Sequence, residues 1–378
     1  MAAKPKLLYI SPVAPALTGN GLAMRAGMVL EALAGHYEVY LLVAHKDPPL
    51  IIPERLERLC RRASVIAPQP LWGFLPSARM WRDVRFDVVH VFRLAMLPFS
   101  KPYLGGWFRR PRRHLDLDDI ESLTRRRLAA LYRLNGDNAR AERKESGAQR
   151  QEIAEAEAFR MFDRVYVCSS EDRRKLEGRA RGEICVLPNA VRLPPSAPEP
   201  PASGPFDFLF VGTLGYYPNA DAVRYLCSEI VPRIRDLAGE CFAVTIVGTG
   251  ASKSLREVVA APPVRFLGEV PDLEPCYAAA HAILAPIRAG GGTRIKVLEA
   301  FSYRRPVVAT TIAMEGIEAQ PEEHMLIGDT PDAFARQCAR LISDRELGAR
   351  LARNALDLVT QDYTLDALGR RLAEMERR

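Results

Sequence analysis

Two series of short apolar runs, each alternating with helical sequence, are the feature that most constrains this chain. The first series comprises KLLYIS (6–11), YEVYLLVA (37–44), SVIAP (64–68), DVVHVF (87–92), RVYVCSS (164–170) and EICVLPNAV (183–191). Runs that are apolar on both faces are typical of a parallel sheet covered by helices on both sides. The pattern therefore predicts a doubly wound α/β domain over residues 1–192.

The second series repeats this pattern nearer the C-terminus. It comprises FDFLFVG (206–212), FAVTIVGTG (242–250), VRFLGEV (264–270), AILAP (282–286), PVVATT (306–311) and HMLIG (324–328). The segment 193–205, LPPSAPEPPASGP, has six prolines in thirteen residues and predicts a semi-rigid linker. We therefore expect a second Rossmann-like domain over 206–360, with the helical segment 361–378 packing back on the first domain. A cleft between two facing domains is the expected binding site.

Composition favours a soluble cytoplasmic protein. The seven cysteines are odd in number and scattered without a C-x-x-C pair, which favours a reducing compartment. Ser11 and Pro12 cut the N-terminal apolar run too short for a signal peptide. No uncharged run approaches the length that spans a bilayer.

The formal net charge of +7 is concentrated in one stretch. Residues 101–150 contain thirteen Lys and Arg against seven Asp and Glu, mixed with aromatic residues. This stretch is either a solvated arginine-rich helix face or a surface that contacts an anionic membrane or a polyanionic acceptor. The second alternative predicts a peripheral position at the inner face of the membrane. We expect no nucleic-acid partner.

A glycine-rich turn carries the strongest functional signal, in PIRAGGGTRIKVLEAFSYRRPVVAT (286–310). Glycines allow close backbone approach, and the free N–H groups at the start of the next helix attract anions. A diphosphate would suit this place. Arg294 and Lys296 add positive charge where a leaving group develops negative charge, so we assign both as catalytic and expect no metal ion. The predicted donor-binding residues of the turn are Gly290, Gly291, Gly292 and Thr293.

Glu299 follows Lys296 by three residues and lies on the adjoining turn of the predicted helix. A carboxylate there can accept two hydrogen bonds from neighbouring sugar hydroxyls, such as those of a ribose. The alternative is a local ion pair with Lys296. The adjacent glycine turn favours the ligand role.

A second turn with glycines precedes the first predicted helix. Gly19, Asn20 and Gly21 follow the strand 6–11 and open an amphipathic stretch. A phosphate or a sugar could bind there, and an ordinary loop-to-helix turn is the alternative.

Several polar residues near other strand ends have open assignments. Asp116 and Asp118 form a D-x-D pattern that can bind manganese, while Asp118 or Asp119 can instead cap the next helix. His90 can reach the cleft or remain a core histidine. Ser169 or Ser170 predicts a helix cap. Glu315 and Gly316 follow the strand 306–311, at the same edge of the sheet where the diphosphate is expected.

The stretch from FLFVGTLGYYPNADAVRYL (208–226) to PVVAT (306–310) resembles the donor-binding domain of group-one glycosyltransferases, the large family 4 of retaining enzymes. TGNGLAMRAGMVLEAL, FDVVH, VYVCSSED and VLPNAV resemble N-terminal landmarks of the same family. The resemblance implies the GT-B fold and a hexosyltransferase that uses a nucleoside diphosphate sugar such as a UDP-sugar. It also implies retention of configuration, no metal ion, and a glycan, lipid-linked or small-molecule acceptor, as in polysaccharide biosynthesis.

The resemblance also implies places for individual residues of the second domain. Glu299 falls where the family holds the ribose, and the backbone from Leu267 to Val270 falls where it holds the base. Gly212 ends the FVG strand beside the donor. The family usually has a second glutamate, facing the transferred sugar, where this chain has Gly291.

In the first domain, Asp118 stands where family members often have a histidine that points at the sugar, and we assign it a catalytic role. Two rival functions remain open at this stage. One is a sugar nucleotide 2-epimerase, which shares the fold. The other is a binding module that lost catalysis when Gly291 replaced the glutamate.

Overall fold

The structure is a computed structural model that describes residues 3–45, 51–67, 80–81, 83–105, 110–196, 199 and 204–377. It divides into two compact units. Unit 1 contains residues 1–126, 143–190 and 365–378, and unit 2 contains residues 127–142 and 191–364. Six of the thirteen residues of the predicted proline-rich linker, 197–198 and 200–203, lie outside the described residues.

Unit 1 is built on a parallel sheet of seven strands in the order β3-β2-β1-β4-β5-β6-β7. The strands are β1 (Lys6–Ser11), β2 (Glu38–Ala44), β3 (Cys60–Ile66), β4 (Val88–Phe92), β5 (Arg112–Asp116), β6 (Arg164–Val167) and β7 (Glu183–Val186). The central strands are buried on both faces, as the apolar runs predict.

Helices cover this sheet on both faces. They are α1 (Gly21–Ala34), α2 (Glu54–Glu57), α3 (Leu97–Leu104), α4 (Glu121–Leu134), α5 (Asn138–Phe159) and α6 (Ser170–Leu176). Helices α4 and α5 run antiparallel as a hairpin, in which Ser122 donates hydrogen bonds to the Glu155 carboxylate. The tip of this hairpin, residues 127–142, clusters with unit 2.

Unit 2 is built on a parallel sheet of six strands in the order β10-β9-β8-β11-β12-β13. The strands are β8 (Phe206–Val211), β9 (Phe242–Val247), β10 (Val264–Gly268), β11 (Ala282–Ala285), β12 (Val307–Ala309) and β13 (Leu326–Ile327). The order of connection reverses between β8 and β11. In open parallel sheets such a switch point leaves a crevice at the carboxyl ends of the strands, where ligands bind.

The helices of unit 2 alternate with these strands. They are α7 (Tyr217–Tyr225), α8 (Val231–Ala238), α9 (Lys253–Val258), α10 (Glu274–Ala279), α11 (Ile295–Ser302), α12 (Thr311–Met314), α13 (Pro331–Ser343) and α14 (Arg345–Asp362). A π-helical turn over Leu226–Ile230 joins α7 to α8. The last helix of the chain, α15 (Leu365–Arg377), clusters with unit 1.

One strand of the first sheet is not among the apolar runs that the sequence pattern predicted. β5 carries Arg112 and Arg113 at its start and buries His114 and Asp116 further along. Its polar side chains conceal its position in the sheet, where it pairs with β4 and β6. The predicted α/β class with two parallel sheets is confirmed.

Candidate functional site

The glycine turn of unit 2 leaves the carboxyl end of β11, next to β8 at the switch point. Gly290 and Gly292 have φ angles of 132° and 66°, which residues with side chains rarely adopt. The turn leads directly into α11, and Arg294 lies at the N-cap position of that helix. The guanidinium of Arg294 turns back and donates a hydrogen bond to the Gly291 carbonyl. The predicted sequence of strand, glycine turn and helix is therefore present, and anion binding at the turn stays a prediction.

Lys296 lies in the first turn of α11 and reaches the end of β8. Its ammonium donates a hydrogen bond to Oδ1 of Asn219 at 2.9 Å and lies 4.6 Å from the ring centroid of Phe210. A Cβ atom on Gly212 would come within 2.8 Å of the Lys296 Nζ atom, so a side chain there would displace the lysine from its present position. Burial, together with the charge of Arg294, lowers the pKa of Lys296 to about 7, while Glu299 acts in the opposite direction.

Glu299 lies one turn further along α11 and is oriented by Tyr277. The Tyr277 hydroxyl donates a hydrogen bond to Oε2 of Glu299 at 3.3 Å. Tyr277 itself stacks on Tyr303 with ring centroids 4.6 Å apart, and its carbonyl accepts a hydrogen bond from the buried Arg305. Burial raises the pKa of Glu299 to about 7, although Tyr277 and Lys296 act in the opposite direction. No direct ion pair between Glu299 and Lys296 occurs in the described part of α11.

The ends of β8 and β9 approach each other through a second pair of glycines. A Cβ atom on Gly248 would lie 1.8 Å from the carbonyl oxygen of Gly212, so the two strand ends need glycine for contact. The Gly248 amide donates a hydrogen bond to the Gly268 carbonyl at 2.7 Å, which links β9 to β10. This places Gly268, between the predicted base-binding residues Leu267 and Val270, beside Gly248. Leu267 is 51% exposed, and base binding at this place stays a prediction.

Sequence reasoning missed Asn219, Tyr277 and Gly248 as residues around this crevice. For Gly248 a signal was present, because the V-G-T triplet of 211–213 recurs at 247–249, at the ends of two adjacent strands. No comparable signal marks Asn219 or Tyr277, since each reaches the crevice from a helix distant in sequence.

In unit 1, Gly19, Asn20 and Gly21 are exposed at the start of α1. The Asn20 side chain accepts a hydrogen bond from the Ala23 amide at 2.9 Å, so Asn20 is an N-cap residue. The loop-to-helix turn is thus realised. A ligand at this turn stays a prediction.

Asp118 follows β5 with a φ of 61° and lies in a cluster of buried charges. Burial raises the pKa of Asp118 to about 6, against the opposing charges of Arg25 and Arg93. Its neighbour Asp116 pairs with Arg25 at 2.7 Å, and both side chains are 1% exposed or less. That pairing commits the first carboxylate of the D-x-D pattern to an arginine. Within the described ranges, no three His, Cys, Asp or Glu side chains are grouped as metal ligands.

Three other assignments left open by the sequence also receive positions. His90 lies within β4, is completely buried, and packs against Tyr9 and Tyr166, which makes it a core histidine. Ser169 caps α6 by accepting a hydrogen bond from the Asp172 amide at 3.0 Å. The Asp119 carboxylate accepts a hydrogen bond from the Thr124 hydroxyl at 2.9 Å near the start of α4.

None of the described helices is both long enough and apolar enough to cross a bilayer.

Comparison with known proteins bears directly on unit 2. Residues 205–344 match the family model described as "Glycosyl transferases group 1". The match runs from the start of β8 to the end of α13. The resemblance recognised in the sequence is therefore confirmed. No curated protein matches the sequence of this chain.

Solved structures extend the comparison to the whole chain. Sucrose-phosphate synthase from Thermosynechococcus elongatus superposes with a TM-score of 0.73 at 16% identity, covering 99% of this chain and 98% of its own. HepE from Anabaena, solved in complex with UDP-glucose, gives a TM-score of 0.71 at 16% identity, with 99% of both chains covered. The lipopolysaccharide outer core galactosyltransferase WaaB gives 0.62 at 12% identity, covering 99% of this chain and all of its own. These likenesses confirm the GT-B fold for this chain.

Proposed function

We propose that this protein is a glycosyltransferase that moves a hexose from a nucleoside diphosphate sugar, with UDP as the nucleotide, to an acceptor hydroxyl. The observation that carries the proposal is the arrangement around α11. The glycine turn after β11 leads into α11, whose Lys296 ammonium reaches the end of β8 and whose Glu299 carboxylate lies one turn further along the helix. Such a set matches a diphosphate followed by a ribose.

The proposed chemistry breaks the bond between the anomeric carbon and the diphosphate oxygen, and forms a bond to the acceptor oxygen. Negative charge grows on the departing diphosphate, and Arg294 and Lys296 stabilise it. Burial and the charge of Arg294 lower the pKa of Lys296 to about 7, and the negative charge of a bound diphosphate would raise it again and favour the ammonium form. Two cations at this place support transfer without a metal ion.

We also propose retention of configuration and a catalytic role for Asp118, both on the family resemblance. Asp118→Asn should lower the rate of transfer and leave the dissociation constant of the donor unchanged. Proton NMR of the first-formed product should show the anomeric configuration of the donor.

The acceptor side of the proposal rests on charge. The stretch 101–150 has an excess of six positive charges, which supports a lipid-linked or polysaccharide acceptor and contact with an anionic membrane. Unit 1, which holds most of this stretch, is the proposed acceptor-binding unit.

A panel of nucleotide sugars tests the function directly. A donor that binds only the folded protein raises the free energy of unfolding by about 2.7 kcal/mol at a hundredfold excess over Kd, and the melting temperature rises with it. We expect UDP-hexoses to produce the largest shifts, and release of UDP to continue in EDTA. Absence of a shift with every nucleotide would refute the proposal. Conversion of the donor sugar without any acceptor would indicate an epimerase instead.

A further inference from the structure

The hairpin tip, residues 127–142, reaches the glycine turn through one arginine. Nη1 of Arg127 on α4 donates a hydrogen bond to the Gly290 carbonyl at 3.0 Å. The same guanidinium pairs with both carboxylate oxygens of Glu315, with Nη2 and Oε1 2.6 Å apart. Both side chains are only about one-fifth exposed, at 21% and 20%. Arg127 therefore joins the turn after β11 to the loop that begins at the end of α12.

The rest of the tip is fixed to the same unit beside this contact. Tyr132 stacks on Tyr217 of α7 with ring centroids 4.1 Å apart and planes inclined by 11°. Asn135 donates a hydrogen bond to the buried Asp221 at 2.7 Å. Leu128 and Leu131 pack on Ala289, the residue before the glycines, and complete the support. The position of Arg127 is thus set by packing as well as by charge.

The far end of the turn is tied to the same neighbouring loop. The Thr293 hydroxyl donates a hydrogen bond to the Gly316 carbonyl at 3.2 Å. Gly290 and Thr293 are therefore both anchored to Glu315–Gly316, and the two glycines between them are held at both ends. Glycine has the most permissive backbone of all residues. A turn of three glycines therefore needs contacts with other elements to keep its amide groups in one orientation.

We propose that Arg127 and Glu315 are positioning residues that hold the glycine turn in the conformation that receives the diphosphate. The inference rests on the proposed function, because it takes the turn as the diphosphate site. It assigns to the hairpin tip a role that neither the glycine motif nor α11 reveals. Backbone N–H groups that are already aligned need no reorganisation when the diphosphate binds. The ion pair of Arg127 and Glu315 therefore strengthens ligand binding without touching the ligand.

The test compares ligands that differ only in the diphosphate. UDP and uridine are titrated by calorimetry into the full-length protein and into Arg127→Ala, Arg127→Lys and Glu315→Gln. We expect Arg127→Ala to weaken UDP binding about tenfold or more and to leave uridine binding unchanged. Arg127→Lys keeps the charge but loses the two-pronged contact, so its effect should be intermediate. Glu315→Gln should weaken UDP binding in the same selective way.

Arg126→Ala is the matched control. Arg126 precedes Arg127 on α4 but pairs with Glu152 of α5, away from the turn. The Arg126→Ala variant should bind UDP and uridine with the same affinities as the unchanged protein.

Each outcome bears on a separate claim. Failure of the unchanged protein to bind any nucleoside diphosphate would refute the proposed function. UDP binding that is unchanged in Arg127→Ala, or lost in parallel with uridine binding, would overturn the positioning role while leaving the function intact. Should Arg127→Ala fail to fold, Glu315→Gln decides, and unchanged UDP affinity in that variant overturns the inference.

Discussion

At the scale of the residue, the crevice of unit 2 contains an acid and a base whose charges are both weakened by burial. The pKa of Glu299 is raised to about 7 and that of Lys296 is lowered to about 7. Each group therefore changes charge near neutrality, whereas neither would in water. This makes ligand binding sensitive to single substitutions and to pH.

Glu299→Gln should weaken UDP binding by roughly 1.5–3 kcal/mol, about ten- to 150-fold, because it removes a charge-assisted acceptor. Calorimetry with 2′-deoxy-UDP provides the sharper measurement. If Glu299 binds the ribose hydroxyls, the substitution should cost much less with the deoxy ligand than with UDP. Glu257→Gln, an exposed site on α9, is the charge-matched control. Equal losses with both ligands would contradict the ribose assignment.

Affinity for a UDP-hexose should pass through a maximum near pH 7. Below this pH, Glu299 is protonated in the free protein, so binding must release a proton. Above it, Lys296 is neutral in the free protein, so binding must take up a proton. A nucleotide sugar is the right ligand because its diphosphate has no group that titrates in this range. Glu299→Gln should abolish the fall on the acid side alone, and a flat profile from pH 5.5 to 9 would disprove the linkage.

At the scale of the element, the absence of side chains at two glycines determines the geometry at the carboxyl edge of the second sheet. The ends of β8 and β9 touch at Gly212 and Gly248, and Lys296 passes over the first of them. Side chains at these places would separate the strands and displace the lysine. The geometry of the crevice thus depends on strand ends as much as on the glycine turn.

Gly248→Ala should lower the free energy of unfolding by roughly 1–3 kcal/mol, as overpacking does, and also weaken UDP binding. Its Cβ atom would lie 1.8 Å from a backbone oxygen, which cannot move aside as a side chain can. Chemical denaturation measures the first effect and calorimetry the second. Gly369→Ala is the control, because no atom lies within 4 Å of its Cβ position in α15. That variant should gain roughly 0.5–1 kcal/mol, and a loss of stability there would question the packing argument.

The sequence predicted those parts of the site that are contiguous in the chain. The glycine turn, Arg294, Lys296 and Glu299 lie within ten residues, so strand and helix periodicity sufficed to place them together. Arg127 and Tyr277 reach the same crevice from distant helices, and no local pattern encodes such a meeting. Strand β5 was hidden for a related reason, because its buried His114 and Asp116 are polar and their partners lie on other elements.

At the scale of the whole molecule, the excess of positive charge in the stretch 101–150 can attract an anionic surface. Many arginines of the stretch 101–150 have carboxylate partners, such as Arg113 with Asp163 and Arg126 with Glu152. Pairing leaves the net charge of the stretch unchanged. Long-range attraction to an anionic surface follows this net charge and is screened by salt.

Vesicles that contain phosphatidylserine should therefore co-sediment with the protein at low salt and release it at high salt. Replacing the exposed Arg143 and Arg150 by glutamine should weaken this binding by about 1 kcal/mol per charge. The same double replacement at the exposed Arg350 and Arg353 of α14 changes the total charge equally and should have a smaller effect. Equal effects of the two pairs would show that the stretch has no special role, and absence of binding at low salt would remove the membrane proposal.

The stacked rings of Tyr277 and Tyr303 have an optical consequence. The three tryptophans of the chain, at positions 72, 81 and 107, all precede the segments of unit 2. Replacing Tyr303 by tryptophan would preserve an aromatic stack and give unit 2 a single indole next to the hydroxyl that orients Glu299. Its emission would then report occupancy of the crevice in real time, without a label on the nucleotide.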